Sequence, residues 1–300
     1  MIDARLITFV DLVKTKNYTK TAQNLFITQP AVSHHIKTLE KDTNVKLFAN
    51  LKTFKLTDEG QIIYEYAKKC VLMYNQLEVA LKKEGTSYHN IKFATTNQLA
   101  STVVNQILLK WIKDNPNDKI SMNILEKEKM YEAICKGEID FAIIDFPYDR
   151  NQFNGIPLFD LNASIYASTK NHLTNKAKVN MEQLKKETLV TDCANSGIRL
   201  MLDNALNKQN SNVNSFEGLL EIHDPVVMKN LIIANSGVGL LYDNFVKDEL
   251  KKKKIVKLST MSSANLTQKV TLIYSLESLK EKSNEYIADE IIKMYQKIYA

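Results

Sequence analysis

Residues 17–39 constrain the chain more than any other stretch. Asn17 precedes Tyr18-Thr19-Lys20-Thr21-Ala22, and Thr28 precedes Gln29-Pro30-Ala31-Val32. Asn and Thr side chains accept hydrogen bonds from the N–H groups that a first helical turn leaves open. Pro is tolerated in that turn because its missing N–H would have no partner there. Two short helices are therefore predicted, joined only by Phe26 and Ile27. On the second, Val32, Ile36 and Leu39 fall on one stripe, while Ser33, His34, Lys37 and Lys41 fall elsewhere and face out. Ahead of them Leu6, Phe9, Val10 and Val13 recur at helical spacing and predict a first amphipathic helix. This is the pattern of a helix-turn-helix, whose second member presents its N-terminal residues to a major groove. Beyond it, Leu47-Phe48 and Phe54-Lys55-Leu56 flank residues 49–53 as a small hairpin, or wing.

Charge follows the same boundary. Residues 1–57 carry nine Lys/Arg (5, 14, 16, 20, 37, 41, 46, 52, 55) against four acids (3, 11, 40, 42), most of the net charge of +6. A basic segment in an otherwise nearly neutral chain suits a phosphate backbone. A lysine-rich solvated surface would also give this balance. The helix pattern decides between them.

A long helix is predicted next. Asp58 with Gln61 three residues on resembles a capping box, and up to Gly85 only Gly60 interrupts the run. Ile63, Tyr66, Ala67, Cys70, Tyr74, Leu77 and Leu81 form an apolar seam stepping by three and four. About 27 residues at 1.5 Å each span roughly 40 Å. So long a stripe calls for a second copy rather than for its own small domain. Pairing would set two helix-turn-helix units at a fixed separation.

From about residue 90 the pattern alternates. Residues 91–95, 120–125, 141–144, 189–191, 216–222 and 238–242 read as strands. Helical stretches at 99–115, 128–136, 198–209, 225–235 and 243–250 lie between most of them. This is an α/β architecture with mainly parallel sheets, which bind ligands beyond the carboxyl ends of their strands. Two helix starts look equipped for that: Thr95-Thr96-Asn97-Gln98, and Asn195-Ser196-Gly197-Ile198-Arg199 with one of only three arginines. Hydroxyls, amides and a guanidinium suit a small anion or carboxylate. Asp145 and His223 sit at strand ends and join the candidate site. Cys193 lies nearby, where a redox role is the minority reading.

Several classes are excluded. Three hundred residues are long for one core, so several domains are expected. Eight Gly and five Pro rule out collagen-like and low-complexity chains. No apolar run reaches a membrane span, and charges at Asp3, Arg5 and Asp11 argue against a signal peptide, so a soluble cytoplasmic protein is expected. Cys70, Cys135 and Cys193 form no CxxC pair and the five His no HExxH, so neither disulfides nor a metal motif is indicated. Gly237-Val238-Gly239 lacks the third Gly of a dinucleotide loop. No enzyme motif and no cofactor are expected.

Phe9-Val10, Tyr18-Thr19-Lys20-Thr21-Ala22, Leu25, Thr28-Gln29-Pro30-Ala31-Val32-Ser33, Ile36, Leu39-Glu40, Leu47-Phe48, Leu56-Thr57 and Gly60 resemble, in order, the N-terminal domain of LysR-type transcriptional regulators. Two positions depart: Asn50 stands where the family usually has Arg, and Glu59 where it usually has Ala. Gly137-Glu138-Ile139-Asp140-Phe141-Ala142-Ile143 and Asn235-Ser236-Gly237-Val238-Gly239-Leu240-Leu241 resemble the family's effector-binding domain, itself similar to periplasmic binding proteins. The resemblance implies a winged helix-turn-helix at 1–58, a linker helix at 59–89 and an effector domain at 90–300. The last would hold subdomain I (90–163 and 265–300) and subdomain II (164–264), with the C-terminal helix 280–298 packed on the first. It implies a sequence-specific regulator controlled by a small-molecule co-inducer, acting as a homodimer or homotetramer on double-stranded DNA with RNA polymerase as a further partner. The residues expected at DNA are Tyr18, Thr19, Thr28, Gln29, Pro30, Ser33, His34, His35, Lys37, Asn50, Lys52 and Lys55. Those expected at the effector are Thr95, Thr96, Asn97, Asp145, Asn195, Ser196, Gly197, Arg199 and His223. The competing reading is a ligand-binding or catalytic α/β protein with a basic docking domain.

Overall fold

The computed structural model describes residues 2–51, 53–81, 90–259, 266–278 and 280–299. The chain forms two compact units that part near residue 86, each with its own hydrophobic core. In the N-terminal unit, α1 (Ala4–Thr15), α2 (Tyr18–Asn24) and α3 (Gln29–Thr43) all start on side-chain caps. Asp3 accepts from the Arg5 N–H, Asn17 from that of Lys20 and Thr28 from that of Ala31. Their inner faces bring Phe9, Leu12, Ala22, Val32, Ile36 and Leu39 onto Leu47 and Phe48. The wing pairs β1 (Phe48–Asn50) antiparallel with β2 (Lys55–Leu56). Phe48 meets Phe9 and Phe54 edge-on at 5.8 and 5.9 Å. Glu40 fastens the wing to α3, accepting from the Leu47 N–H and from Lys46 Nζ, both at 2.9 Å.

The helix α4 (Asp58–Leu81) is long, as its sequence predicts, but Thr57 caps it rather than Asp58. Thr57 Oγ1 accepts from the Gly60 N–H at 2.8 Å. A Cβ on Gly60 would lie 2.1 Å from the Leu47 carbonyl oxygen, so α4 can start against the wing only with glycine there. The predicted seam divides in two. Its Ile63 and Ala67, with Tyr64 and Val71 beside them, pack on the N-terminal core, because the first half of the helix does find cover in its own domain. Its Tyr66 and Leu77, with Ile62 and Met73 beside them, remain outside, 61, 45, 71 and 43% exposed.

In the C-terminal unit, β3 (Asn90–Thr95), β4 (Lys119–Ile124) and β5 (Phe141–Ile144) are parallel. The chain then enters β6 (Phe153–Ser168), the longest strand among the described residues. A second parallel group follows: β7 (Thr188–Thr191), β8 (Gly218–Glu221) and β9 (Val238–Tyr242). The strand β10 (Ile255–Lys257) pairs with β6, and β11 (Leu266–Ser275) lies between β5 and β6. The sheet order is β4-β3-β5-β11-β6-β9-β7-β8, with β10 off this path. The sheet is thus mixed rather than mainly parallel, because β6 and β11 escape a sequence reading. Within β6, Asn154, Gly155, Pro157, Asp160 and Asn162 are all poor strand formers. Pro157 is accommodated by a bulge at Leu158, where the register steps from Val270↔Phe159 to Thr271↔Pro157.

Helices fill the connections. The stretch predicted at 99–115 begins earlier, as α5 (Asn97–Leu99), a π turn (Ala100–Val104) and α6 (Asn105–Asp114). It is followed along the chain by α7 (Lys127–Cys135), α8 (Met181–Leu184), α9 (Gly197–Asn207) and α10 (Pro225–Ile233). The helix predicted at 243–250 is a 3-10 turn (Asp243–Val246) leading into α11 (Lys247–Lys251). The last helix, α12 (Glu281–Tyr299), packs back on α6 and β6. Among the described residues no helix is long and apolar enough to cross a membrane.

Gly60→Ala should destabilise the N-terminal unit by about 1–3 kcal/mol, since the Leu47 carbonyl must give way to the added methyl. Urea unfolding of the variant measures this. An unchanged midpoint would show that the wing and α4 can separate at no cost.

Candidate nucleic-acid interface and ligand cleft

On α3 the buried stripe Val32, Ile36 and Leu39 turns Gln29, Pro30, His34, Lys37 and Lys41 out to solvent, with Ser33 half-buried beside them. Gln29 and Pro30 occupy the first turn, the part of such a helix that enters a groove. Thr28 holds the turn as its cap, and Thr19 is exposed at the start of α2. Tyr18 is half-buried, its ring 5.7 Å from that of Phe54, so it braces the wing. His35 departs from expectation. It points inward and its Nδ1 shares a hydrogen bond with Thr8 Oγ1 at 2.8 Å, tying α3 to α1. On the wing Asn50 and Lys55 are exposed, and Asn50 Oδ1 accepts from the Thr53 N–H to close the turn. Lys52 lies outside the described residues. Sequence reasoning passed over Phe26, which sits in the turn with φ +56° and is 96% exposed immediately before α3. In the sequence it marks only the joint between the two helices.

In the C-terminal unit the carboxyl ends of β3, β5 and β7 border a cavity of about 540 Å³. Its lining includes Thr96, Asn97, Gln98, Asp145, Asp192, Cys193, Asn195, Ser196, Gly197 and His223, together with residues 124–129. Thr96 Oγ1 donates to Asp145 Oδ1 at 3.2 Å and caps α5 by accepting from the Leu99 N–H. Asn97 Nδ2 donates to the His223 carbonyl, and Gln98 Nε2 to Asp192 Oδ2, both at 2.9 Å. These two bonds link the β3 group to the β7 group across the cleft. Ser196 caps α9 by accepting from the Arg199 N–H at 3.2 Å. A Cβ on Gly197 would lie 2.2 Å from the Asp145 carbonyl oxygen, so the start of α9 rests directly on the end of β5.

Two expected ligand residues lie elsewhere. Thr95 is fully buried and its hydroxyl donates to the Ile143 carbonyl at 3.0 Å, a sheet contact. Arg199 does not line the cavity. It is buried, with Nε on Asp203 at 3.0 Å and Nη1 on Glu221 and the Asp192 carbonyl at 2.9 and 3.0 Å. Its charge is spent within the protein, so the expected anion anchor is absent from the cavity wall.

Two buried carboxylates stand on the wall, beside Glu126, Lys127, Glu128 and Lys129 of the rim. Asp145 is fully buried, accepting from the Tyr242 hydroxyl at 2.9 Å as well as from Thr96. Burial pushes its carboxyl up to about 6 despite those two hydrogen bonds. Asp192 is also buried; its Oδ1 accepts from the Cys193 N–H at 2.7 Å and lies 3.1 Å from His223 Nδ1. Cys193 Sγ lies 3.1 Å from the same Nδ1. Burial, followed by the charge of Asp192, pushes the Cys193 thiol up, the opposite of what a peroxide-sensing thiolate requires. Nor is the trio a proton relay, since that needs the two imidazole nitrogens to face different partners. Asp192 was missed in sequence, although the strand-end position that marked Asp145 also marks it, and Gln98 was named at its helix start but not among the expected effector residues.

Residues 4–61 match the family described as bacterial regulatory helix-turn-helix protein, lysR family, and residues 87–283 match the LysR substrate binding domain. The chain belongs to the LysR family of transcriptional regulators, with a DNA-binding helix-turn-helix and a substrate-binding domain. It is 27% identical over 283 residues to the HTH-type transcriptional regulator CysL of Bacillus subtilis (strain 168), covering 92% of each chain. It is 24% identical over 235 residues to the HTH-type transcriptional activator CmpR of Synechocystis, covering 78% of this chain and 76% of that one. ArgP from Mycobacterium tuberculosis has the same fold at TM-score 0.73 and 14% identity, covering 98% of this chain and 97% of that one. Full-length OxyR from Pseudomonas aeruginosa gives 0.70 at 17% identity, covering 97 and 94%.

Because Asp145 holds its proton more tightly folded than unfolded, its contribution to stability is greatest below about pH 4 and falls as pH rises through about 6. At neutral pH the buried charge should cost about 3 kcal/mol. Asp145→Asn should flatten the pH dependence of urea unfolding over that range. A pH dependence identical to that of the unmodified protein would show that Asp145 is not the group responsible.

Proposed function

We propose that the protein reads operator DNA through α3 and the wing, as a homo-oligomer paired along α4, and that a small polar effector in the cleft sets its action. The observation that carries the effector half is the convergence of two strand-to-helix junctions, residues 96–98 and 192–197, on one cavity of about 540 Å³. Both present amides, hydroxyls and helix N-termini to the same space, which supports a ligand rich in hydrogen-bonding groups. With Arg199 engaged elsewhere and both carboxylates (Asp145, Asp192) and lysines (Lys127, Lys129) on the wall, a polar molecule with several hydrogen-bonding groups fits better than a simple anion. An effector acts only through different affinity for two arrangements of the protein, and the Asn97–His223 and Gln98–Asp192 bonds are contacts it would remake. Action on DNA places the protein in the cytoplasm on this reading, and contact with RNA polymerase belongs to the same proposal.

At the DNA, Gln29 suits the bidentate edge of adenine and Lys55 a phosphate. Phe26 adds an apolar surface beside them.

Calorimetry of the full chain against small acids, amino acids and oxyanions tests the cleft. Asn97→Ala and Ser196→Ala should each remove the heat of the binder found, and an unaltered isotherm in both would move the effector out of the cleft. In operator titrations Gln29→Ala should relax base preference at one position of each half-site by about 1–3 kcal/mol. Lys55→Ala should weaken all sequences equally and lower the salt slope by about one. Equal losses by Gln29→Ala on operator and scrambled DNA would reduce Gln29 to a positioning contact. Tyr66→Glu or Leu77→Glu should convert the oligomer to monomer in sedimentation, because an unpaired charge cannot be buried in the seam. Retained assembly in both would place the pairing surface away from α4.

A further inference from the structure

We propose that Asp192, Cys193 and His223 form a binding site for a divalent metal ion of the zinc class at the exposed edge of the cleft. One donor atom from each lies within 4.8 Å of the other two. The fold delivers them together. Strands β7 and β8 are parallel with Thr191 opposite Glu221, and the Ile222 N–H donates to the Thr191 carbonyl at 2.8 Å. The chain segments leaving the two strands therefore run side by side, with Asp192-Cys193 on one and His223 on the other.

The donors converge on a single point. Cys193 Sγ and Asp192 Oδ1 both approach His223 Nδ1 at 3.1 Å, so in the tautomer that carries its proton on Nδ1 that proton lies between a sulfur and a carboxylate oxygen. A metal ion takes the place of that proton. Metal–sulfur and metal–nitrogen bonds of about 2.3 and 2.0 Å in a tetrahedral site set donor separations of roughly 3.3–3.6 Å. The two separations from His223 Nδ1 need to open by only a few tenths of an ångström, Asp192 Oδ1 and Cys193 Sγ already lie within 4.8 Å of each other, and His223, with its side chain 55% exposed, has room to adjust. On binding, the thiol proton passes to solvent and the imidazole N–H moves to Nε2, while Asp192 supplies its carboxylate charge. A sulfur, nitrogen and oxygen donor set selects zinc, cobalt or cadmium over magnesium or calcium. Gln98, donating to Asp192 Oδ2, holds Oδ1 toward the other donors, the supporting contact such ligands usually have.

Three protein ligands leave one tetrahedral position open, and the trio lines the cavity. That position is where a cleft ligand with an anionic group would complete the coordination, supplying the positive charge that Arg199 does not. This last step rests on the effector reading above; the metal site itself does not.

The test is titration of the chelator-treated full chain with cobalt(II) or cadmium(II) alone, followed by thiolate-to-metal charge-transfer absorbance. One ion per chain with a sulfur-dependent band is expected. Cys193→Ser should abolish the band, and His223→Asn should weaken binding at least about tenfold. The Cys70→Ser/Cys135→Ser double variant should keep both band and affinity, with circular dichroism confirming the fold of each protein. A band that survives Cys193→Ser, or no saturable binding at micromolar metal, overturns the site. Operator binding and the calorimetric effector screen are read separately, so loss of the metal site leaves the regulator reading standing.

Discussion

The C-terminal unit depends on the antiparallel pairing of β6 with β11. The pair runs from Leu266↔Ala163 to Ser275↔Phe153, longer than any other ladder among the described strands. The parallel group β3, β4 and β5 joins it through β11 at Thr271–Ile273. The group β7, β8 and β9 joins it through β6 at Ala163–Tyr166. The two groups therefore hang from different stretches of one ribbon. The carboxyl ends of β3, β5 and β7 meet at one gap, and the cavity is a product of that arrangement rather than of any local loop.

What the sequence revealed and what it hid follow one physical division. Caps and apolar stripes act over four residues or fewer, so Asn17, Thr28 and the stripe Val32, Ile36 and Leu39 were visible. The strand ends that carry Asp145 and His223 were visible for the same reason, because a short apolar run bounded by polar residues is a local pattern. Hidden were β6, whose strand character comes from two neighbouring strands rather than from its own residues, and the inward turn of His35 toward Thr8. The cap of α4 moved by one residue because Thr57 could be recognised only with Gly60 already packed on the wing.

Arg199 shows how tertiary partners reassign a residue of obvious chemistry. A guanidinium beside a capped helix start suggests an anion site, and Asp203 one turn further on is the only hint in the sequence of another use. The partner that decides the matter is Glu221, brought close by the β7–β8 pairing. With that cation withdrawn behind the wall, the strand ends leave the cleft with buried carboxylates and amides, and Lys127 and Lys129 are the cations on its lining. Its chemistry is that of Asp145, Asp192, the residues that hold them and these two lysines.

The exposed stripe on α4 has a consequence of another kind. Ile62, Tyr66, Met73 and Leu77 are exposed in the single chain; on the pairing proposed above a second chain would cover them, and the population of fully folded protein would then rise with its own concentration by mass action. A chain paired in that way would be least robust when scarce. Its copy number then acts as a setting of stability: a few molecules per cell would spend more time as separate, apolar-faced chains, exposed to proteolysis, than the same molecules at higher abundance.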